Sequence, residues 1–131
     1  MNNKKTVQRD EVHVVSTDGA QLIRVAGVSF RPGYPDNLTS LVDRYPDGQV
    51  IPVVLEREPS NPYDERAVKV LIEGEHVGYV PKAINAPITE ALDAGEAFTC
   101  RVEEVPISKK GGASRPGLII HVVKTAGVAR Q

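Results

Sequence analysis

The sequence predicts a mainly β fold, with five or six short strands and two short helices in a single domain. Apolar, β-branched runs of strand length recur along the chain, and clusters of Pro, Gly, Asn and Asp separate them. One predicted helix lies between strands late in the chain, but no regular alternation of strand and helix points to a parallel sheet. We therefore expect a small, partly open barrel of the OB-like or SH3-like kind.

Six apolar runs define the predicted strands. They extend from Leu22 to Phe30, Val50 to Glu56, Ala67 to Ile72, His76 to Val80, Ala97 to Val105 and Leu118 to Val123. Gly27 within the first run indicates a bulge, and Pro52 places the second run at an edge or a bulge. Glu73-Gly74-Glu75 is a tight turn that joins the third and fourth strands as a hairpin. The Gly-rich link from Ser108 to Gly117 is expected to be mobile.

Two helices are predicted from periodicity and capping residues. Asp36 or Asn37 is expected to cap the first helix, and Asn85 the second. Pro87 then falls in the first turn of the second helix, and Gly95 marks its end. The first helix has an apolar face at positions i, i+3, i+4 and i+7, made of Leu38, Leu41, Val42 and Tyr45.

We expect one domain over residues 21–125, a polar N-terminal extension over 1–20 and a C-terminal tail over 126–131. A chain of 131 residues is large enough for one core without a metal or a disulfide. The single cysteine, Cys100, lies in an apolar strand segment, where we expect a buried and inert thiol. The apolar runs are too short to span a membrane. Cysteine usage and the lack of a readable targeting segment favour a cytoplasmic location.

The net charge of −1 conceals a segregation of charge along the chain. Residues 36–104 carry fourteen acidic and six basic side chains, whereas residues 105–131 carry five basic and no acidic ones. A protein that covers long stretches of nucleic acid normally has a dominant basic face. The composition therefore argues against extended DNA binding, and it allows a small local site with a few cations.

The sequence specifies no catalytic centre. His13, His76 and His121 lie far apart and lack a ligand spacing such as H-E-x-x-H, and His76 is expected to be a solvated strand residue. No G-x-S-x-G elbow is present. Gly111-Gly112 lacks the Lys-Ser/Thr context of a phosphate-binding loop and is predicted to be a hairpin tip. We expect neither an enzyme nor a bound cofactor or metal.

The connection from Glu56 to Asp64 is the most informative segment of the chain. It contains two prolines, each of which fixes φ at about −65° and favours extended geometry in the preceding residue. A stiff loop that presents the ring of Tyr63, the amide of Asn61 and the carboxylate of Asp64 is typical of a binding surface. A purely structural role is also compatible with these residues, with Asn61 and Asp64 capping a turn and Tyr63 packed beneath it.

Three motifs together resemble the HIRAN domain. They are V-x-G-V-S-F near the start, L-E-R-E-P-x-N-P-Y-D-x-x-A-V-x-V in the middle and V-G-Y-V-P after it, in this order within about residues 22–105. The resemblance implies a modified OB-like barrel without catalytic activity, which captures the 3′ end of single-stranded DNA at a stalled fork. The implied partners are a single-stranded DNA end and a helicase, nuclease or other repair protein acting in trans.

The resemblance also assigns roles to individual side chains around that DNA end. Tyr63 and Phe30 would be the aromatic partners of the terminal bases. Asp64 would accept a hydrogen bond from the terminal 3′-hydroxyl, and Asn61 would help to shape the pocket. Every base offers a π-face to a ring, so such a site needs no particular sequence.

The phosphate side of the implied site departs from the family pattern. Tyr79 and Lys82 would face the phosphates. Ser29 stands where the best-studied members have an arginine, and Arg31 follows two residues later. If strand pairing continues through this segment, Arg31 faces the same side as Ser29 and substitutes for that arginine.

Two other functions are compatible with the sequence. The first is a protein-interaction adaptor that uses the same barrel surface or an edge of the sheet. The second is a small metal-dependent hydrolase or nuclease, which we rank last because no acid, base and metal-ligand set converges in the sequence.

Overall fold

A computed structural model describes residues 14–15 and 19–125 of the chain. Within these residues the strands are β1 (Val14–Val15), β2 (Ala20–Arg24), β3 (Pro52–Arg57), β4 (Val68–Ile72), β5 (Glu75–Tyr79), β6 (Ala97–Glu104), β7 (Ile107–Lys110), β8 (Ala113–Pro116) and β9 (Ile119–Thr125). The helices are α1 (Asp36–Asp43) and α2 (Ala86–Asp93). The predicted extension and tail lie largely outside the described residues, so the domain boundaries stay predictions.

Seven of these strands form one curled antiparallel sheet in the order β1-β2-β9-β6-β3-β4-β5, and β7 pairs with β8 in a separate two-stranded sheet. Beyond the end of β2, Ala26 forms an antiparallel bridge with Tyr79 of β5, with N···O distances of 2.8 and 2.9 Å. This bridge connects the two sides of the sheet, which curls into a partly open barrel. The predicted fold class is therefore confirmed: six strands, β2 to β6 and β9, form the barrel wall, and the two-residue β1 extends its edge.

Alternation along the strands fills the barrel interior. In β4, Val68, Val70 and Ile72 are completely buried, because side chains two residues apart share one face of a strand. Leu38 and Leu41 of α1 join the same core, as does Ile88 of α2. The apolar face predicted for α1 is therefore confirmed, with Val42 and Tyr45 packed at its margin.

Gly78 allows β5 to approach the end of β2 closely. A Cβ atom at this position would lie 2.7 Å from the carbonyl oxygen of Ala26, which is closer than real Cβ contacts. The adjacent residue, Tyr79, makes the bridge to Ala26. The glycine of the V-G-Y-V-P motif is thus required by backbone contact.

The first predicted strand is wrong in its second half. β2 ends at Arg24, and Gly27 adopts a left-handed φ of 73° that turns the chain into a 3₁₀ turn at Val28–Phe30. Gly27 is therefore a turn residue and not a bulge. Arg31 follows in extended geometry, but no strand pairing connects it with Ser29.

The predicted helix caps are only partly right. α1 begins at Asp36 after an N-cap at Pro35, and no side chain caps it, so the capping roles predicted for Asp36 and Asn37 are wrong. In α2, Asn85 occupies the N-cap position as predicted, with Pro87 in the first turn, although the Asn85 side chain bonds elsewhere. Gly95 follows this helix with a φ of 89°.

The link from Ser108 to Gly117, which was expected to be mobile, forms a β-hairpin. β7 and β8 pair from Ile107 with Pro116 to Lys110 with Ala113, and Gly111-Gly112 forms the tip. Both glycines have positive φ, which suits a tight two-residue turn and confirms the predicted tip. Among the described residues, no helix is long and apolar enough to cross a membrane.

Candidate functional site

The connection between β3 and β4, residues 58–67, is organised by the side chain of Asn61. Its Oδ1 accepts hydrogen bonds from the backbone N–H groups of Tyr63 at 2.8 Å and Asp64 at 3.0 Å. Its Nδ2 donates to Glu58 Oε1 at 2.9 Å and to the Tyr79 hydroxyl at 3.2 Å. Both ends of the amide are therefore committed within the protein, so Asn61 fixes the shape of the loop.

Tyr63 does not pack beneath this loop. The residue is 87 % exposed, so the structural alternative considered for Tyr63 is wrong. Phe30, at the end of the 3₁₀ turn, is 83 % exposed. Leaving such a side chain in water forgoes about 1.5–3 kcal/mol of burial energy. Two exposed rings on loops therefore suggest a contact surface.

Asp64 is held as a carboxylate by two donors. The backbone N–H of Arg66 donates to Oδ1 at 2.9 Å, and Asn85 Nδ2 donates to Oδ2 at 2.9 Å. These bonds, with the nearby charges of Lys82 and Arg66, lower the pKa of Asp64 below its usual value against an opposing effect of burial. The lowered pKa keeps Asp64 ionised at neutral pH. Each carboxylate oxygen also keeps a lone pair that can accept a further hydrogen bond.

Glu58 connects the loop to the end of β5. Its Oε1 accepts from the Tyr79 hydroxyl at 2.6 Å as well as from Asn61. The bond from Tyr79, followed by that from Asn61, lowers the pKa of Glu58. The same bond is the main cause of the raised pKa of Tyr79, because losing the phenolic proton would break it; burial and the charge of Glu58 add to the shift.

His76 is not the solvated strand residue that the sequence suggested. Arg31 Nη1 lies 2.7 Å from its Nδ1, and its Nε2 lies 2.9 Å from the carbonyl oxygen of Gly78. A guanidinium only donates, so Nδ1 accepts and Nε2 carries the proton. Burial and the charge of Arg31 lower the pKa of His76, which keeps the ring neutral. The His76 ring meets Tyr79 edge-on at 4.7 Å, so Arg31 is tethered to the site.

A pocket of about 300 Å³ opens between the β3–β4 connection, the end of β5 and the segment beyond β2. Five of the seven predicted site residues line it. The full lining is Ala26, Asn61, Tyr63, Asp64, Ala67, Tyr79, Val80 and Lys82. Phe30 and Arg31 lie outside this lining, although Arg31 reaches the back of Tyr79 through His76.

Three supporting residues were missed by the sequence analysis. Glu58 lies in the quoted motif, and its position three residues before Asn61 was a usable signal. Asn85, only 2 % exposed, was interpreted solely as a helix cap. His76 bonds a residue 45 positions away, and no local pattern indicates such a pair.

The described residues contain no group of three or more His, Cys, Asp and Glu side chains placed to hold a metal ion. His13 lies outside the described part of the chain. Cys100 is buried as predicted, and burial raises the pKa of its thiol to about 12. This cysteine therefore stays protonated at neutral pH.

Comparison with known proteins places these features in a family. The HIRAN domain model matches residues 18–111. Helicase-like transcription factor of the rabbit, Oryctolagus cuniculus, is 45 % identical over 42 residues, which is 31 % of this chain and only 4 % of that protein's length.

Two solved structures resemble this one. The crystal structure of the HIRAN domain of human HLTF has a TM-score of 0.55 at 21 % identity, over 81 % of this chain and 74 % of that chain. A Lactobacillus plantarum protein has a TM-score of 0.53 at 20 % identity, over 83 % of this chain and 95 % of that chain. At these identities the likeness supports the fold alone. Because the family model covers well over half of the sequence, the chain belongs to the HIRAN domain family.

Proposed function

We propose that this domain binds the 3′-hydroxyl end of single-stranded DNA and catalyses no reaction on it. The observation that carries the proposal is the pocket in which the exposed ring of Tyr63 lies beside the ionised carboxylate of Asp64. Membership of the HIRAN family and the likeness to a helicase-like transcription factor support nucleic acid as the ligand.

Asp64 is the group that selects an end over the interior of a strand. Its free lone pairs accept a hydrogen bond from a terminal hydroxyl, but its charge repels a phosphate at the same place. Two unit charges about 4 Å apart repel by roughly 1 kcal/mol in water and 4 kcal/mol near a protein surface. The pocket therefore favours a 3′-hydroxyl over a 3′-phosphate by about fivefold or more.

Tyr63 and Phe30 supply affinity that does not depend on base identity. Stacking of a base on an aromatic side chain contributes about 1–3 kcal/mol. Tyr63 borders the pocket, and Phe30 follows Ala26 of the pocket wall by four residues. In this proposal Tyr63 stacks on a base at the end of the strand, and Phe30 stacks on a base that lies outside the pocket.

Few cations are needed for this mode of binding. Lys82 lines the pocket, and Arg66 follows Asp64 by two residues. Within the described part of the chain, neither cation is in an ion pair with a carboxylate at 4.0 Å or less. Both are therefore available to phosphates, which suits the acidic balance of residues 36–104.

Fluorescence anisotropy with labelled oligothymidylates tests the proposal. Strands that differ only in a 3′-hydroxyl or a 3′-phosphate are titrated with the wild-type domain and with Asp64→Asn. We expect the wild type to prefer the hydroxyl by about fivefold or more, and Asp64→Asn to lose most of this preference. Asp47→Asn, at an exposed turn position away from the pocket, is the matched control for the loss of one negative charge.

Equal affinity of the wild type for the two strands would rule out end recognition by Asp64. Failure to bind either strand would rule out the nucleic-acid role and leave the adaptor hypothesis. Loss of preference in Asp47→Asn as well as in Asp64→Asn would assign the effect to overall charge.

A further inference from the structure

The β7–β8 hairpin is a basic element that stands apart from the barrel sheet. It forms its own two-stranded sheet, and Ile107, Ser108 and the segment from Ala113 to Arg115 are exposed. Lys109 is exposed on β7, and residues 105–125 contain no acidic side chain. The family model ends at residue 111, so β8 lies beyond the matched segment.

Two hairpin cations, Lys109 and Arg115, have no carboxylate partner within 4.0 Å among the described residues. Five described cations are in ion pairs: Arg44, Arg57, Lys69, Arg101 and Lys124. Within the described residues, Lys109 and Arg115 are in no such pair. Their charge is therefore not neutralised by the protein, and it creates a local positive potential in an otherwise acidic domain.

Arg24 adds a further positive charge at the base of the hairpin. Its guanidinium lies against Gly117, where an added Cβ would be 3.3 Å from Nη2. Its Nη1 is buried and has no hydrogen-bond partner among the described residues. Among the described residues, Arg24 is in no ion pair, so its charge adds to the positive potential at this end of the molecule.

One turn connects the hairpin with the candidate pocket. The Tyr34 hydroxyl donates to the carbonyl oxygen of Pro116, the last residue of β8, at 2.9 Å. Three residues earlier, Arg31 bonds His76, which packs on Tyr79 of the pocket wall. Phe30 lies exposed on the same turn. The turn that carries Phe30 therefore contacts both the pocket wall and the end of β8.

We propose that the β7–β8 hairpin binds the phosphate backbone of the same strand whose 3′ end occupies the pocket, several nucleotides from that end. The inference rests on the proposed function of the pocket and adds a second contact to it. The described hairpin side chains offer cations and no aromatic ring, so they suit phosphates and not bases. The backbone contact adds affinity for longer strands without adding sequence preference.

The test compares strand lengths. Oligothymidylates with a 3′-hydroxyl, about 4 and about 16 nucleotides long, span the range of binding-site sizes of single OB-like domains. Each is titrated at several salt concentrations with the wild type and with the double variant Lys109→Ala/Arg115→Ala. The matched control is Arg44→Ala/Lys124→Ala, which removes the same charge from exposed surface ion pairs.

We expect the hairpin variant to bind the long strand about tenfold more weakly and the short strand as tightly as the wild type does. Two lost phosphate contacts lower the salt slope on the long strand by about 1.4, at roughly 0.7 per contact for single strands. The control should keep wild-type affinity for both lengths. Unchanged binding of the short strand shows in the same experiment that the pocket is intact.

Three results would overturn the inference. The first is a hairpin variant that binds the long strand as the wild type does. The second is an equal loss on both lengths, which would place these cations at the pocket itself. The third is an equal loss in the control, which would assign the effect to net charge. In each of these cases the wild type still binds and still prefers the 3′-hydroxyl. If the proposed function is wrong, the wild type binds neither strand length.

Discussion

Two loops present the exposed rings of this domain, and they are supported in different ways. The β3–β4 loop, residues 58–67, carries Tyr63 and is organised by Asn61 through partners two and three residues away. The β2–α1 turn, residues 27–35, carries Phe30 and is held by His76 and Pro116, which lie 45 and 82 positions from their partners. Asn61 gives the first loop a local framework, to which Tyr79 and Asn85 add bonds from distant positions. In the second loop, the side chains of Arg31 and Tyr34 bond only distant residues.

This difference has consequences for stability and for recognition. Local hydrogen bonds form with little loss of chain entropy, so the β3–β4 loop is expected to keep its shape when the rest of the barrel loosens. Long-range contacts form only after the distant strands have paired. The β2–α1 turn should therefore respond more strongly to changes in β5, which contributes His76 and packs against Ala26.

The largest expected effect is that of Gly78→Ala. The new Cβ would collide with the carbonyl oxygen of Ala26 and disturb the bridge between Ala26 and Tyr79. Overpacking against backbone typically costs about 1–3 kcal/mol, and we expect the upper end because the bridge closes the barrel. Urea denaturation measures the change in the free energy of unfolding.

Ala97→Val is the control for Gly78→Ala, since it enlarges an exposed residue of β6 and should change the free energy of unfolding by less than about 0.5 kcal/mol. Amide NMR shifts then separate the two loops. We expect the shifts of residues 27–35 to change more than those of residues 58–67. The opposite pattern would show that the β3–β4 loop is the one that depends on the barrel.

The same distinction explains what the sequence predicted well. The strands β4 and β5 follow from alternation and a Glu-Gly turn, and the shape of the β3–β4 loop follows from Asn61, because both depend on neighbouring residues. Five of the seven predicted site residues border one pocket. Three of these five residues lie in the β3–β4 loop, and a fourth is Tyr79, whose hydroxyl bonds Asn61 and Glu58 of that loop.

The errors concern features that depend on distant partners. The apolar run from Leu22 to Phe30 does not distinguish a continued strand from a strand followed by a 3₁₀ turn, and the outcome depends on Ala26 meeting Tyr79. Asn85 occupies the predicted N-cap position, but its side chain bonds Asp64, 21 positions away, and does not cap the helix. The contact of Arg31 with His76 depends on two segments that only the barrel brings together.

The next largest expected effect is the loss of DNA affinity when the ring of Tyr63 or Phe30 is removed. Tyr63→Ala and Phe30→Ala should each weaken binding of a 3′-hydroxyl strand by about 1–3 kcal/mol, the contribution of one stacked base. Both rings are exposed, so neither change should alter the free energy of unfolding appreciably. Anisotropy titrations with strands of different length distinguish the rings, because Tyr63 borders the pocket and Phe30 lies outside it.

We expect Tyr63→Ala to weaken short and long strands equally and Phe30→Ala to weaken the long strand more. Val54→Ala, at another exposed apolar position away from the pocket, is the control and should leave binding unchanged. If Phe30→Ala leaves long-strand binding intact, the β2–α1 turn is not part of the contact surface. The difference between the two loops would then affect folding and not DNA binding.

The smallest expected effect is a dependence of stability on pH that belongs to the β2–α1 turn. His76 is neutral in the folded protein and its pKa is lowered, first by burial and then by the charge of Arg31, with a smaller contribution from Lys69. The bond to Gly78 and the charge of Glu58 oppose this shift without reversing it. The unfolded chain therefore binds a proton more readily than the folded one, and His76 stabilises the fold fully above its unfolded pKa of about 6.5.

As the pH falls from about 6.5 through the lower folded pKa, this contribution is lost, and protonated His76 can no longer accept from Arg31. Urea denaturation across this range should show stability falling in the wild type and a weaker fall in His76→Gln. His121→Gln, on β9, is the control for replacing a histidine that does not bond Arg31. Asp64 and Glu58 have lowered pKa values and stay ionised in this range, so they do not obscure the effect. If His76→Gln keeps the wild-type profile, the position of Arg31 does not depend on its bond to the neutral imidazole of His76. The β2–α1 turn would then be held chiefly by the bond of Tyr34 at its other end.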